Sequence, residues 1–213
     1  MTPAVVVVTD RVQAAAAGRT LAATVAAALI GGAGAVLLRD KDLPVPARRR
    51  LAGELRAVTS GAGAALWIAT DLALAAEVGA DGVHLASTDP WPAGREAEHA
   101  TALPAGRSCH TVAELRVAAA RGAAWATYSP VFATASKPGY GPALGLDGLG
   151  TGCQAVPGLP VLALGGIGPG RAGGCARAGA AGVALMGAVM GAADPGAVVR
   201  AVAGELASLR SPR

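Results

Sequence analysis

The chain has 213 residues, a formal net charge of +4, a hydrophobic fraction of 53% and aromatics at only 3%. That length fits one (β/α)8 barrel of about 200 to 250 residues, so residues 1–213 are expected to form a single domain whose core is built from Val, Leu and Ile against Ala-faced helices. Scattered arginines without interleaved aromatics argue against a nucleic-acid partner, and the lack of any apolar run of about 18 residues or of a signal-peptide start argues against a membrane and for a cytoplasmic protein.

Strand and helix patterns alternate along the chain. Val5 to Thr9 is a continuous β-branched run, and Leu21, Val25, Ala28 and Leu29 then recur at helical spacing. Ala35 to Leu38 is the second strand pattern. Arg48-Arg49-Arg50 follows near the start of a helix marked by Leu51, Leu55 and Val58, where the triplet is expected on a solvated face. Ala65 to Ile68, Gly82 to Leu85 and Arg107 to Cys109 are strands three to five. Thr111 and Glu114 form a capping box, with Gly122 as the stop. Ala124 to Tyr128, Val161 to Leu164 and Gly182 to Met186 complete eight strands, and Asp194-Pro195 is an N-cap and first-turn pair before Val198, Val202 and Leu206. The strands lack clean alternation, as parallel strands buried on both faces do. Eight such units predict a parallel (β/α)8 TIM barrel, with a doubly wound open sheet as the alternative.

Cys109, Cys153 and Cys175 have no metal-ligand spacing and read as small buried hydrophobes. The chemistry lies after the strands. The run from Ser129 to Gly141 places Thr134, Ser136 and Lys137 on a loop bounded by proline and glycine, and hydroxyls with an ammonium are suited to an anion. In a barrel, groups at the carboxyl ends of strands converge on one face. Arg39 and Lys41 follow strand two, Ser87 and Asp89 follow strand four, and Ser108 and His110 flank the end of strand five. Gly165-Gly166 and Gly187-Ala188 follow strands seven and eight, where backbone N–H groups can approach a phosphate. Gly168 to Gly173 also matches GxGxxG, but Pro169 removes a donor and no acidic residue ends the next strand, which argues against a dinucleotide site.

Five segments carry a family resemblance: Arg39-Asp40-Lys41-Asp42, Gly79 to Leu85, Gly106 to His110, Pro130-Val131-Phe132 to Lys137-Pro138-Gly139, and Ala163 to Ile167. In this order they resemble thiamin phosphate synthase and its relative, the TenI-type thiazole tautomerase, from about Val5 to Met190. The resemblance implies a TIM barrel that binds thiazole phosphate and, in the synthase, a pyrimidine pyrophosphate with Mg2+. Onto this sequence it carries Thr134, Ser136, Gly166, Met186 and Gly187 as thiazole-phosphate ligands, and Arg39, Lys41 and Lys137 as cations for a pyrophosphate. Asp89 matches one magnesium carboxylate.

Other positions depart from the pattern. Leu37 stands where the synthase has a Gln, and Ala69-Thr70-Asp71 where it has Asn-Asp-Arg; Asp71 reads as a helix cap. Pro130 stands where the tautomerase has its proton-moving histidine, leaving Lys137 or His84 as acid/base. The leading expectation is accordingly a thiazole phosphate tautomerase without a cofactor. The alternatives are the synthase with Mg2+ at Asp89, and a non-catalytic phosphate-binding regulatory barrel. The expected partner is the small-molecule thiazole phosphate, with a homodimer as the prior for a compact barrel.

Overall fold

The computed structural model describes residues 2–92, 103–134 and 142–209. Eight strands close into one parallel barrel in chain order: β1 (Val5–Val8), β2 (Ala35–Leu38), β3 (Ala65–Ala69), β4 (Gly82–Leu85), β5 (Ala105–Cys109), β6 (Trp125–Tyr128), β7 (Val161–Leu164) and β8 (Gly182–Leu185). β1 pairs with β8, Val6 opposite Ala184, which removes the sheet edges and excludes the open doubly wound alternative. The helices among the described residues are α1 (Arg11–Ala16), α2 (Leu21–Ile30), α3 (Val45–Gly61), α4 (Leu72–Glu77), α5 (Val112–Ala120), α6 (Gly145–Ala155), α7 (Ala172–Arg177), α8 (Gly187–Met190) and α9 (Pro195–Ser208). No described helix is long and apolar enough to cross a membrane.

Strand side chains alternate between an outer and an inner region, as a period of two requires. Val5 and Val7 pack outward with Val25, Ala28 and Leu55 between sheet and helices. Val6 and Val8 point inward with Ala35, Leu37 and Leu162. Both faces are buried, so the strands read as unbroken apolar runs. Each fully buried Val or Leu contributes roughly 1.5 to 3 kcal/mol.

The barrel interior differs from the expected aliphatic filling. Trp67 of β3 and Trp125 of β6 stack within it, ring centroids 4.0 Å apart and planes 20° apart. Glycines opposite make the room. A Cβ on Gly106 would lie 2.1 Å from the Trp125 indole, and one on Gly82 would lie 2.8 Å from it. Two large rings thus replace several medium side chains.

The helix signals hold at the level of single bonds. Thr111 and Glu114 form the capping box of α5, and the Asp194 side chain accepts from Ala197 N–H ahead of Pro195. Strand five begins at Ala105, two residues before its expected start at Arg107, because Gly106 pairs with Trp125 across the sheet. The triplet Arg48-Arg49-Arg50 is not uniformly solvated: α3 begins at Val45, which turns Arg48 inward, where it is buried, donating Nη2–H to the Ala69 carbonyl at 2.6 Å. Cys109 and Cys175 are buried and Cys153 is half-buried; burial pushes their thiols up to about 12, 11 and 11 respectively, so all three stay protonated near neutral pH.

Candidate active site

The carboxyl ends of the strands surround a cavity of about 830 Å3. Of the residues expected there, Arg39, Lys41, His84 and Ser108 line it from β2, β4 and β5, and Thr134, Gly166, Met186 and Gly187 line it from the loops after β6, β7 and β8. Ser136 and Lys137 lie outside the described residues. Arg39 and Lys41 stand together on one side because Asp40 between them is fixed from below. Its carboxylate accepts from the Thr9 hydroxyl at 2.6 Å and from Arg11 N–H at 2.9 Å, while Thr9 Oγ1 accepts from Arg39 N–H at 2.9 Å. Asp40 is therefore a buried clamp between β1 and β2 that aims its neighbours into the mouth.

The opposite side is built from backbone. Val131 N–H donates to the Leu164 carbonyl at 2.9 Å and Phe132 N–H to the Gly165 carbonyl at 3.0 Å, stapling the loop after β6 onto the end of β7. That approach leaves no space for a side chain. A Cβ on Gly166, whose φ is +64°, would lie 2.6 Å from the Ala133 carbonyl oxygen. Met186 is the N-cap of α8 and offers no side-chain cap bond. Met186, Gly187 and Ala188 thus bring to the cavity a helix start whose first N–H groups have no acceptor within the helix.

Arg171, a spacer position in the GxGxxG match, is a further cation of the site. It lines the cavity, donates Nη1–H to the Gly166 carbonyl at 2.6 Å and lies over the Phe132 ring, 4.8 Å from its centroid. Only the fold brings it there. Thr127, inside β6, also lines the cavity and had no signal beyond its place in a strand.

His84 is held on every side. Trp125 Nε1–H donates to its Nδ1 at 3.1 Å, and its Nε2 lies 3.1 Å from both Ser108 Oγ and Thr127 Oγ1. An indole nitrogen can only donate, so Nδ1 carries no proton and the neutral ring has its proton on Nε2. Burial, assisted by the charges of Lys41 and Arg107, pushes the imidazole down to about 3. The basic nitrogen is thus covered by the indole. His84 lines the cavity as a neutral donor, which argues against the acid/base role expected for it.

Asp71, expected as a helix cap, is one, and Asp89, expected near a metal, is engaged in a local bond. Asp71 Oδ1 caps α4 through Leu74 N–H at 2.9 Å, and its Oδ2 lies 3.1 Å from Arg48 Nη1. Asp89 Oδ2 accepts from Ala86 N–H at 2.8 Å, and Asp89 is not among the lining residues. Described residues contribute no Asp or Glu to the lining, and they contain no group of three His, Cys, Asp or Glu able to hold a metal. A hard dication wants several oxygen ligands. The described residues do not fit a protein-held Mg2+ ion, and Asp89 as its ligand does not fit this donor set.

Comparisons with known proteins give the family and the fold. The family described as thiamine monophosphate synthase matches residues 5–189. The putative thiamine-phosphate synthase of Geobacter sulfurreducens is 41% identical over 92% of this chain and 90% of its own length. The thiamine biosynthesis bifunctional protein ThiM/ThiE of Symbiobacterium thermophilum is 42% identical over 84% of this chain, which spans only 37% of that longer protein. Among solved structures, the thiamine phosphate pyrophosphorylase from Pyrococcus furiosus superposes with a TM-score of 0.86 at 28% identity, covering 97% of this chain and 96% of that one.

Proposed function

The chain belongs to the thiamine monophosphate synthase family, and from that premise we propose that it is a synthase, joining a pyrimidine methylene pyrophosphate to a thiazole phosphate. One observation carries the reading beyond family membership. The cavity is lined by the side-chain cations Arg39 and Lys41 and by Thr134, Gly166 and Gly187 from the loops after β6, β7 and β8, which supports two places for an anion. A reaction that joins two phosphorylated halves needs both.

In this proposal the cradle holds the thiazole phosphate through N–H and hydroxyl donors. Arg39 and Lys41 hold the pyrophosphate of the other half. The thiazole nitrogen forms a bond to the pyrimidine methylene carbon as the bond from that carbon to the pyrophosphate oxygen breaks. The electron pair leaves with pyrophosphate, and fixed cations stabilise the charge that grows there.

The tautomerase expectation gives way to the synthase for two reasons. The family is described as thiamine monophosphate synthase and the Geobacter sulfurreducens relative as a putative thiamine-phosphate synthase. The proton-moving histidine is also replaced by Pro130, and of its two expected substitutes His84 has its basic nitrogen covered by Trp125, while Lys137 lies outside the described residues. The test is incubation with both halves: one pyrophosphate released per thiamin phosphate formed supports the proposal, and binding without release would favour the non-catalytic alternative.

A further inference from the structure

The proposed reaction leaves the GxGxxG match at Gly168 to Gly173 without a role. Its backbone donors are already taken. The Glu205 carboxylate, on α9, accepts from Gly170 N–H at 2.5 Å through one oxygen and from Gly173 N–H at 3.0 Å through the other. A carboxylate from another helix thus does the work of a local capping side chain at the start of α7. The cap position itself is Arg171, which makes no side-chain cap bond. Its side chain is released toward the cavity that it lines.

Two contacts hold the guanidinium there. Nη1–H donates to the Gly166 carbonyl at 2.6 Å, and the group lies over the Phe132 ring, 4.8 Å from its centroid. Neither partner carries a negative charge. Among the described residues no carboxylate pairs with Arg171, and Nε and Nη2 have no acceptor. An arginine fixed by a carbonyl and an aromatic face keeps its charge and a free edge of its donor fork, which suits an oxyanion. The carbonyl that holds it belongs to Gly166, so the cation stands beside the cradle of Thr134, Gly166 and Gly187, whose own donors are uncharged.

We infer that Arg171 gives this cradle its preference for a doubly charged phosphate monoester, and that Glu205 is the positioning residue that places Arg171 by holding the loop on both sides of it. A singly charged ester of the same shape is the disfavoured ligand. The inference rests on the proposed function in that the cradle holds the thiazole phosphate.

Calorimetric titration at pH 7.5 with thiazole phosphate and its sulfate ester analogue tests it; the two share a shape and carry about two negative charges and about one. Arg171→Met should weaken the phosphate ester about thirtyfold, as for a charge-assisted hydrogen bond, and the sulfate ester only about fivefold, because the attraction scales with ligand charge. Arg171 is exposed, so this variant keeps its fold. Arg171→Lys retains the charge and should recover at least about threefold of the loss. Glu205→Gln can accept at one atom only and should weaken the phosphate ester about tenfold, with the same dependence on charge. In the double variant with Arg171→Met that second loss should shrink below about twofold, whereas a merely structural role would repeat it in full. A loss below about threefold in Arg171→Met, equal losses for the two esters, an undiminished Glu205→Gln effect in the double variant, or failure of the intact protein to bind thiazole phosphate would each overturn the inference. If Arg171→Met joins the two halves with an unchanged KM for thiazole phosphate, this inference alone falls; a charge-dependent loss in a protein that joins no halves would remove the synthase reading alone.

Discussion

Arg48 and Asp71 are joined across the helix side of the barrel. Arg48 Nη1 lies 3.1 Å from Asp71 Oδ2, and the other carboxylate oxygen caps α4 through Leu74 N–H at 2.9 Å. Both functions are structural. Asp71→Ala should lower stability by about 2 kcal/mol, from a lost cap and a buried guanidinium without its partner. Urea unfolding measures this. The folded variant should keep kcat/KM within about threefold, whereas a metal ligand would lose far more activity than stability.

Gly166 is required by the approach of the loop after β6. Its φ of +64° disfavours a side chain, and a Cβ would meet the Ala133 carbonyl at 2.6 Å. Gly166→Ala should weaken thiazole phosphate binding at least about tenfold by pushing that loop from the cradle. Titration of the phosphate half alone checks it, with the pyrophosphate half as the control expected to change little.

Arg39 is held at the mouth through its backbone bond to Thr9. Arg39→Met should lower kcat/KM for the pyrophosphate half by about 10² to 10³, the range seen when one donor to a developing charge is lost. Steady-state kinetics with each half varied in turn measures the split. The KM for the thiazole phosphate should move by less than about threefold.

His84 makes stability depend on pH. Its folded-state value is about 3, well below the ordinary 6.5, because burial opposes the charged form. Between those values the unfolded chain binds the proton and the folded chain does not. The stability from this group is thus complete above about pH 6.5 and falls, by about 1.4 kcal/mol per pH unit, as pH drops toward 3. The difference between the intact protein and His84→Gln in urea midpoints from pH 7 to pH 4 checks the slope.

The barrel was legible because burial on both faces writes each strand as an apolar run. Ala35–Leu38 and Val161–Leu164 carry their own boundaries, and β1 ends at Val8, one residue before the expected Thr9. Caps were legible for the same local reason, since Thr111 and Glu114 are three residues apart. What escaped depends on contacts between distant segments. Trp67 and Trp125 are 58 positions apart and meet only once the barrel closes, and Gly106 looks like any strand glycine until the indole lies against it. Arg48 and Arg50 belong to one charge triplet, and only the phase of α3 buries the first and exposes the second. Arg171 gained its meaning from Phe132 and Gly166, and Thr127 from His84.

In the proposed reaction one cavity holds the two halves of thiamin phosphate, one at each of two anion sites. The most direct measurement is thiamin phosphate formed by the purified protein from thiazole phosphate and the pyrimidine pyrophosphate, beside an active relative as control. Product is expected in step with pyrophosphate, in a reaction that Arg39→Met slows strongly. No product while the control turns over would contradict it, and would leave a barrel that binds these phosphates without joining them.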